Sequence, residues 1–368
     1  MMKLFEYINK VELEKAISLG YIGIDTHPCY PNLKLVNYTK SCQDDKYWND
    51  TTKKCRGLIY DENTEEIIAV PFKKFFNLEE YDGSCDEFKL SNIPINSNNI
   101  KILNKLDGSL GILYWVDDVP YITTKGSFSS DQGAHATKIL HSKYSNVIDK
   151  LDRNVTYLFE IIYPEDLHCI TYKGVDDIFL IGAIDTSNGN SLDIYKYSNL
   201  FKCTEDYPQY CNSNDWLSIR EYISNEDRNR EGFVIIFDDE FRLKLKYQEY
   251  WVLHYLKAGL SRRKILNAYC EGRSDEILKS LEILDEEHKI YYHKIISELI
   301  KVFNDIIDKC IDEYNYDYFE NRKVLADYVK TCTYPSILFA MYDNKPYDYL
   351  CWKIVKRQIK NIDKEEDD

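Results

Sequence analysis

At 368 residues, 44% hydrophobic and 30% charged, the chain has the balance of a globular, water-soluble protein of one large domain or two ordinary ones. It contains no run of about 18 uncharged apolar residues, and its opening MMKLFEYINK alternates charge with bulk. Neither a membrane span nor a signal peptide is therefore expected, and the cytoplasm (a host's, if the source is viral) is the expected location. A formal net charge of −15 excludes a uniformly basic surface but not the local basic patch that nucleic-acid binding requires.

In chain order, short apolar stretches bounded by Asn, Asp, Gly and Pro predict strands at 57–60, 67–70, 109–115, 157–163, 178–184 and 232–237. Past residue 255 the period changes. Ile277, Leu278, Leu281 and Leu284 recur at helical spacing, as do Ile295, Ile296, Leu299, Ile300, Phe303, Ile306 and Ile307, and glycine almost vanishes. The expected fold is α+β over residues 1–254, followed by a helical domain over 255–368 that ends in an acidic tail, 364–368. Eleven cysteines, an odd number without a CxxC pair, fit free thiols in a reducing compartment and argue against zinc.

One pentapeptide, Lys105-Leu106-Asp107-Gly108-Ser109, precedes a strand-like run. Alone it reads as a surface turn, because Asp-Gly favours φ > 0 and a flanking lysine is usually solvated. Its company changes that. Arg56-Gly57 opens an earlier strand, Lys73-Lys74-Phe75-Phe76-Asn77 follows, and Lys125-Gly126-Ser127 lies 20 residues after Lys105. Glu160 sits inside YLFEIIY, where an ionised carboxylate is costly without a partner. Glu231-Gly232-Phe233-Val234 opens another strand. In Arg242-Leu243-Lys244-Leu245-Lys246 the alternation puts Lys244 and Lys246 on one face.

This series, over residues 35–255, resembles the covalent nucleotidyltransferase superfamily of ligases and capping enzymes. Within it the likeness is to ATP-dependent RNA ligases of the bacteriophage T4 RNA ligase 1 type. The resemblance implies a nucleotidyltransferase domain with antiparallel sheets around an ATP site, and an all-helical C-terminal domain that sets RNA specificity. Lys105 looks like the adenylated lysine, with Asp107 and Gly108 completing its motif. Arg56 and Lys74 look like phosphate contacts, and Lys125 matches a lysine required in the same region. Glu160 matches the acid on the ribose hydroxyls. Glu231, with Gly232 its partner, matches the acid at the nucleophile and at Mg²⁺ or Mn²⁺. Lys244 and Lys246 match the last phosphate clamp. Phe76 and Tyr250 fall where the family carries functional aromatics, and Tyr38 falls beside the adenine. Lys73 rivals Lys74, which fits the family's Lys-Phe-Phe-Asn pattern better. Leu106 departs from the Glu that often follows the nucleophile.

The implied reaction passes AMP from ATP to Lys105, then to a 5′-phosphate RNA end, which a 3′-hydroxyl attacks. A lysine attacks only when neutral, so its ordinary pKa of about 10.4 must fall. Burial and the cations Arg56, Lys125, Lys244 and Lys246 are expected to lower it. The expected partners are RNA with 5′-phosphate and 3′-hydroxyl ends, nicked tRNA among them, and a separate polynucleotide kinase-phosphatase for end healing. The protein itself is expected to be a monomer. Arg262-Arg263-Lys264 and the group Lys353, Lys356, Arg357 and Lys360 fit either a phosphate grip or a solvated helix face. A DNA ligase or mRNA guanylyltransferase remains a rival, but it would carry a β-barrel where helices are expected. A silent RNA-binding protein is disfavoured by the intact set of Lys105, Glu231, Lys244 and Lys246.

Overall fold

The computed structural model describes residues 2–84, 86–94, 96–97, 99–166, 168–204, 230–238, 240–247, 250, 254, 256, 260–282, 284, 286–314 and 319–359. The chain divides into two compact units, Met1–Trp251 and Val252–Asp368. The acidic tail and Lys360 lie outside the described residues. So do Cys85 and Cys211; every described cysteine is a free thiol.

Three sheets build the first unit. The first contains β1 (Ile22–Thr26), β2 (Leu33–Tyr38), β3 (Arg56–Asp61) and β4 (Ile67–Ala69), in that order and antiparallel. The remaining strands are β5 (Phe76–Asn77), β6 (Ile100–Lys105), β7 (Ser109–Val116), β8 (Val119–Thr124), β9 (Val155–Ile162), β10 (Asp177–Asp185), β11 (Ser191–Leu192), β12 (Gly232–Phe237) and β13 (Phe241–Lys246). The second sheet has the order β11-β10-β9-β7-β8, and the third β5-β13-β12-β6. Every pairing is antiparallel except β5 with β13. The strands expected at 57–60, 67–70, 109–115, 157–163, 178–184 and 232–237 fall on β3, β4, β7, β9, β10 and β12.

Every residue of β9 is buried because both faces of its sheet are covered. Tyr157, Phe159 and Ile161 join a core with Ala136, Ile139 and Leu140 of the helix Asp131–Lys143. That helix is capped by Ser130, whose Oγ accepts from Gly133 N at 3.3 Å, and Asp131 in its first turn suits the helix dipole. Leu158, on the other face, packs with Leu35, Leu58, Ile59 and Ala69 of the first sheet. Glu160 shares that second face by the period-2 rule, which turns its carboxylate away from the helix.

The second unit is helical: Arg262–Cys270, Ser274–Glu282, Glu286–Glu313, Arg322–Tyr328, Pro335–Tyr342 and Asp348–Ile359. Ile277, Leu281, Leu284, Ile295, Ile296, Leu299 and Ile306 form its core. Leu278 and Ile300 keep the apolar period but are exposed. The expected basic spots are partly spent inside the unit. Arg262 pairs with Glu298 at 3.3 Å, Lys356 donates to Asn267 at 2.6 Å, and Lys353 lies over Tyr349. No helix among the described residues is long and apolar enough to cross a membrane.

Candidate active site

The register of the third sheet assembles the centre. Gly232 on β12 is opposite Lys105 on one side and Lys246 on the other. Glu231, one residue earlier, reaches both: its Oε2 lies 2.5 Å from Lys105 Nζ and its Oε1 2.7 Å from Lys246 Nζ. Gly232 has φ +146°, and a Cβ there would meet the Leu245 carbonyl oxygen and come within 2.7 Å of Lys246 Cα. Only glycine lets the strands close at this point. Gly108 is required for a different reason. A Cβ there would strike the Ile161 carbonyl oxygen and approach Glu160 Cγ to 3.1 Å. The Gly108 N–H instead donates to Glu160 Oε1 at 3.0 Å, giving the buried carboxyl its partner.

Asp107 is buried and its carboxylate is spent on architecture. Oδ2 accepts from Ile170 N at 2.9 Å and Oδ1 from the Tyr250 hydroxyl at 2.8 Å, while Asp107 N donates to the Tyr172 hydroxyl at 2.9 Å. Tyr250 also lies under Lys246, with Nζ 4.6 Å from the ring centroid. Ser109 Oγ donates to Asp166 Oδ2 at 2.9 Å, and the same oxygen is 2.9 Å from His168 Nε2. The segment Lys105–Ser109 is thus stapled to the segment after β9 at several points. None of Tyr172, Asp166 and His168 carries a sequence signal that would have singled it out.

Beside this centre lies a cavity of about 240 Å³. Its lining includes Lys105, Glu160, Arg56, Lys125, Lys244 and Phe75, and also Leu103, Asn104, Ile181, Thr204, Val234, Ile236 and Arg242. One face of the third sheet lines it, with Lys244 and Arg242 on β13, Val234 and Ile236 on β12, and Leu103 and Lys105 on β6. Arg56 Nη1 is buried with no hydrogen-bond partner among the described residues. An unpartnered buried guanidinium nitrogen and converging lysines are the chemistry of a site for a polyanion.

The charges correct the expected route to a neutral nucleophile. Burial pulls Lys105 down, but Glu231 and then Glu160 outweigh it and hold the amine above its ordinary value. The depression expected for Lys105 falls on Lys244 instead, driven well down by burial and by Arg56, Lys105, Lys74 and Lys246. Lys125 is lowered by burial, with Arg56 and Lys74 adding to it against Tyr38. Glu231 is buried, yet Lys105 and Lys246 hold it below its ordinary value. Glu160 is raised to about 7, first by burial and further by Glu231, against the pull of Lys105.

Three expected nucleotide contacts stand elsewhere. Phe76 packs edge-on against Trp48 and Phe88, with centroids 5.4 and 4.9 Å away, and does not line this cavity. Phe75 lines it, because neighbours in an extended chain point to opposite sides. Lys74 lines an adjoining cavity of about 500 Å³, its Nζ 5.1 to 5.4 Å from the rings of Trp48, Tyr38 and Phe76. Tyr38 stands with the cations and not at the apolar side. Burial pushes its phenol up, but Arg56, Lys125 and Lys74 together hold it below its ordinary value.

The family model described as RNA ligase matches residues 54–251. A relative named "Putative RNA ligase" in Thermovibrio ammonificans is 25% identical over 240 residues, covering 62% of this chain and 61% of its own length. The chain therefore spans about three-fifths of that relative. A protein named RNA ligase in Rhodothermus phage RM378 is 20% identical over 363 residues, covering 80% of this chain and 82% of its own. The solved Naegleria gruberi RNA ligase with PPi is 18% identical and covers 52% of this chain and 60% of its own, with a TM-score of 0.40.

Proposed function

The chain belongs to the RNA ligase family, and from that premise we propose that it is an ATP-dependent RNA ligase whose nucleophile is Lys105. The observation that carries this reading is the position of Lys105. Its amine is held by Glu231 at the wall of a cavity where Arg56, Lys125 and Lys244 converge. The reaction joins 5′-phosphate and 3′-hydroxyl RNA ends in three steps. Lys105 Nζ attacks the α-phosphorus of ATP, a phosphorus–nitrogen bond forms and pyrophosphate leaves. The AMP then passes to the RNA 5′-phosphate. A 3′-hydroxyl attacks that activated phosphate, and AMP leaves as the strand is sealed.

Each residue has a task set by its surroundings. Lys244, Arg56 and Lys125 balance charge on the phosphate oxygens as the pyrophosphate departs. Lys246 keeps Glu231 anchored when Lys105 lets go of it. Glu160 takes the ribose hydroxyls. Asp107, Gly108, Gly232 and Tyr250 are positioning residues: their contacts fix the strand that carries Lys105. Lys74, Tyr38 and Phe76 support the cationic side from behind, and Phe75 supplies the aromatic wall.

The donor set also fits a divalent ion arriving on ATP. Glu231 offers hard carboxylate oxygens that would hold Mg²⁺ or Mn²⁺ directly or through water once a lysine has left them. Bound there, the ion would supply positive charge at the phosphate oxygens. Ends of the opposite polarity, 5′-hydroxyl and 3′-phosphate, cannot enter this chemistry, so the proposal includes a separate kinase-phosphatase acting earlier on RNA or tRNA breaks.

The test is incubation with Mg²⁺ and α-³²P-labelled ATP or GTP, then a denaturing gel. Label from ATP on the wild type and none on Lys105→Ala is the expected result. Label retained by Lys105→Ala, or no label on folded wild type, would overturn the proposal. Label from GTP alone would move the reading to a capping enzyme.

A further inference from the structure

The cavity that Lys105 lines also has an apolar part. On the face of the third sheet that lines the cavity, Lys244 and Arg242 stand on β13, Val234 and Ile236 on β12, and Leu103 on β6, two residues before Lys105. Strands about 4.8 Å apart put roughly 10 Å between Leu103 and the cations of β13. Leu103, Val234 and Ile236 share one face of the sheet by register, and Ile181, at the bulge where β10 slips against β9, closes over them. These residues form a slot suited to an aromatic base. Since polar groups in such a slot decide which base is accepted, their hydrogen-bonding state matters.

At the β6 edge stand Thr204 and the main chain of Asn104. Thr204 is buried and fixed by its own N–H, which donates to the Leu180 carbonyl at 2.9 Å. Its hydroxyl donates to the Asn104 carbonyl at 2.9 Å. A hydroxyl has one hydrogen and two lone pairs. With the hydrogen committed to Asn104, Thr204 Oγ1 has only lone pairs to offer, and the carbonyl beside it is an acceptor as well. Arg242 stands on β13, two strands from the β6 edge, and commits two of its N–H groups, one to the Ser191 hydroxyl at 2.8 Å and one to the Glu240 carbonyl at 3.2 Å, with its guanidinium over the Phe72 ring at 4.3 Å. The Asn104 side chain belongs to the opposite face, since Asn104 pairs with Phe233 and alternates with Leu103 and Lys105.

We propose that Thr204 selects adenine over guanine in this site: its committed hydroxyl accepts a hydrogen bond from the 6-amino group and meets the 6-oxo group of guanine with lone pairs. This rests on the reading of the cavity as the nucleotide site and names its specificity-determining residue. A site built to pair with one polar group discriminates strongly against a ligand that lacks it, because both partners are then left buried and unpaired.

The test uses the full chain and the lysine-labelling reaction, with three competitors: ATP, inosine triphosphate, and purine riboside triphosphate, which has hydrogen at position 6. Wild type should prefer ATP over purine riboside triphosphate by roughly tenfold or more, with inosine triphosphate weaker still. Thr204→Val removes the hydroxyl at nearly constant shape. It should raise the half-saturating concentration of ATP roughly tenfold and leave that of purine riboside triphosphate unchanged, while Thr204→Ser keeps the preference. Equal losses for both nucleotides in Thr204→Val, or a preference unchanged or increased, would show a structural role or a reader other than Thr204 and overturn the proposal. If the valine protein does not fold, equal affinity of wild type for ATP and purine riboside triphosphate is sufficient to reject it. Labelling by every nucleotide alike would sink this inference and leave the ligase reading standing, whereas no labelling at all would remove both.

Discussion

Glu160→Gln should stabilise the protein at alkaline pH while abolishing its labelling by ATP. Burial, reinforced by Glu231 and opposed by Lys105, raises this carboxyl from 4.5 to about 7. Between those values the folded protein retains a proton that the unfolded chain has released, so stability falls as pH rises through that window and stays low above it. A gap of about 2.5 pH units at 1.36 kcal/mol each is worth about 3 kcal/mol, of which about 2.5 kcal/mol is lost between pH 5 and pH 8. Gln carries no charge and keeps an acceptor for the Gly108 N–H, so it has no such slope. Urea unfolding of both proteins at pH 5 and pH 8 isolates the difference, since all other titrating groups are common to both. The two should be close in stability at pH 5, and the variant should lead by about 2.5 kcal/mol at pH 8. Parallel pH profiles, or a wild type that gains on the variant as pH rises, would refute the argument.

Phe75 and Phe76 should separate cleanly. Phe76→Ala should cost about 3–5 kcal/mol of stability by emptying the space between Trp48 and Phe88, read as a lowered melting temperature. Phe75→Ala should mainly raise the half-saturating ATP concentration, because Phe75 lines the cavity with Lys244 Nζ 4.7 Å from its ring. Tyr250→Phe should cost about 1–3 kcal/mol in denaturant unfolding, because it leaves a buried oxygen of Asp107 without its 2.8 Å donor. An effect on labelling without a loss of stability would instead place the Tyr250 hydroxyl in the chemistry.

The parts of this site that could be read from sequence are those encoded by alternation. Lys244 and Lys246 on β13, Lys105 at the end of β6 and Gly232 between them follow from period-2 strands of the right length. Glu160 stood out because a carboxylate inside an apolar strand needs a partner, and Gly108 N–H supplies it. What depended on packing was not legible. Whether Phe75 or Phe76 faces the cavity turns on the parity of a two-residue strand, which composition leaves open. The structural use of Asp107 depends on Ile170, Tyr172 and Tyr250, distant in sequence and without a motif. Thr204 lies 99 residues after Lys105, and its relevance comes from one hydrogen bond to a main-chain carbonyl. Charge was not legible for a related reason: a count of cations leaves out the direct pairing of Lys105 with Glu231 at 2.5 Å, which raises the amine against burial.

The resting charges also bear on the proposal that Lys105, and not Lys244, carries the nucleotide. Lys244 is the amine nearer to neutrality, because burial and four surrounding cations disfavour its proton. A triphosphate reverses that balance: the anionic oxygens would restore the proton on Lys244 and bind it as a cation. Lys105 lines the same cavity as Glu160 and the cations Arg56, Lys125 and Lys244. In ATP the α-phosphorus lies between the ribose and the two outer phosphates. If the ribose is at Glu160 and the outer phosphates are at Arg56, Lys125 and Lys244, the α-phosphorus falls at Lys105 by connectivity alone. In the proposed reaction Glu231 would then have a double action. In the absence of nucleotide it keeps Lys105 protonated and inert toward other electrophiles. A divalent ion bound with the nucleotide would compete with Lys105 for the carboxylate, which Lys246 already holds at 2.7 Å, and the amine so released would lose the interaction that keeps its pKa high.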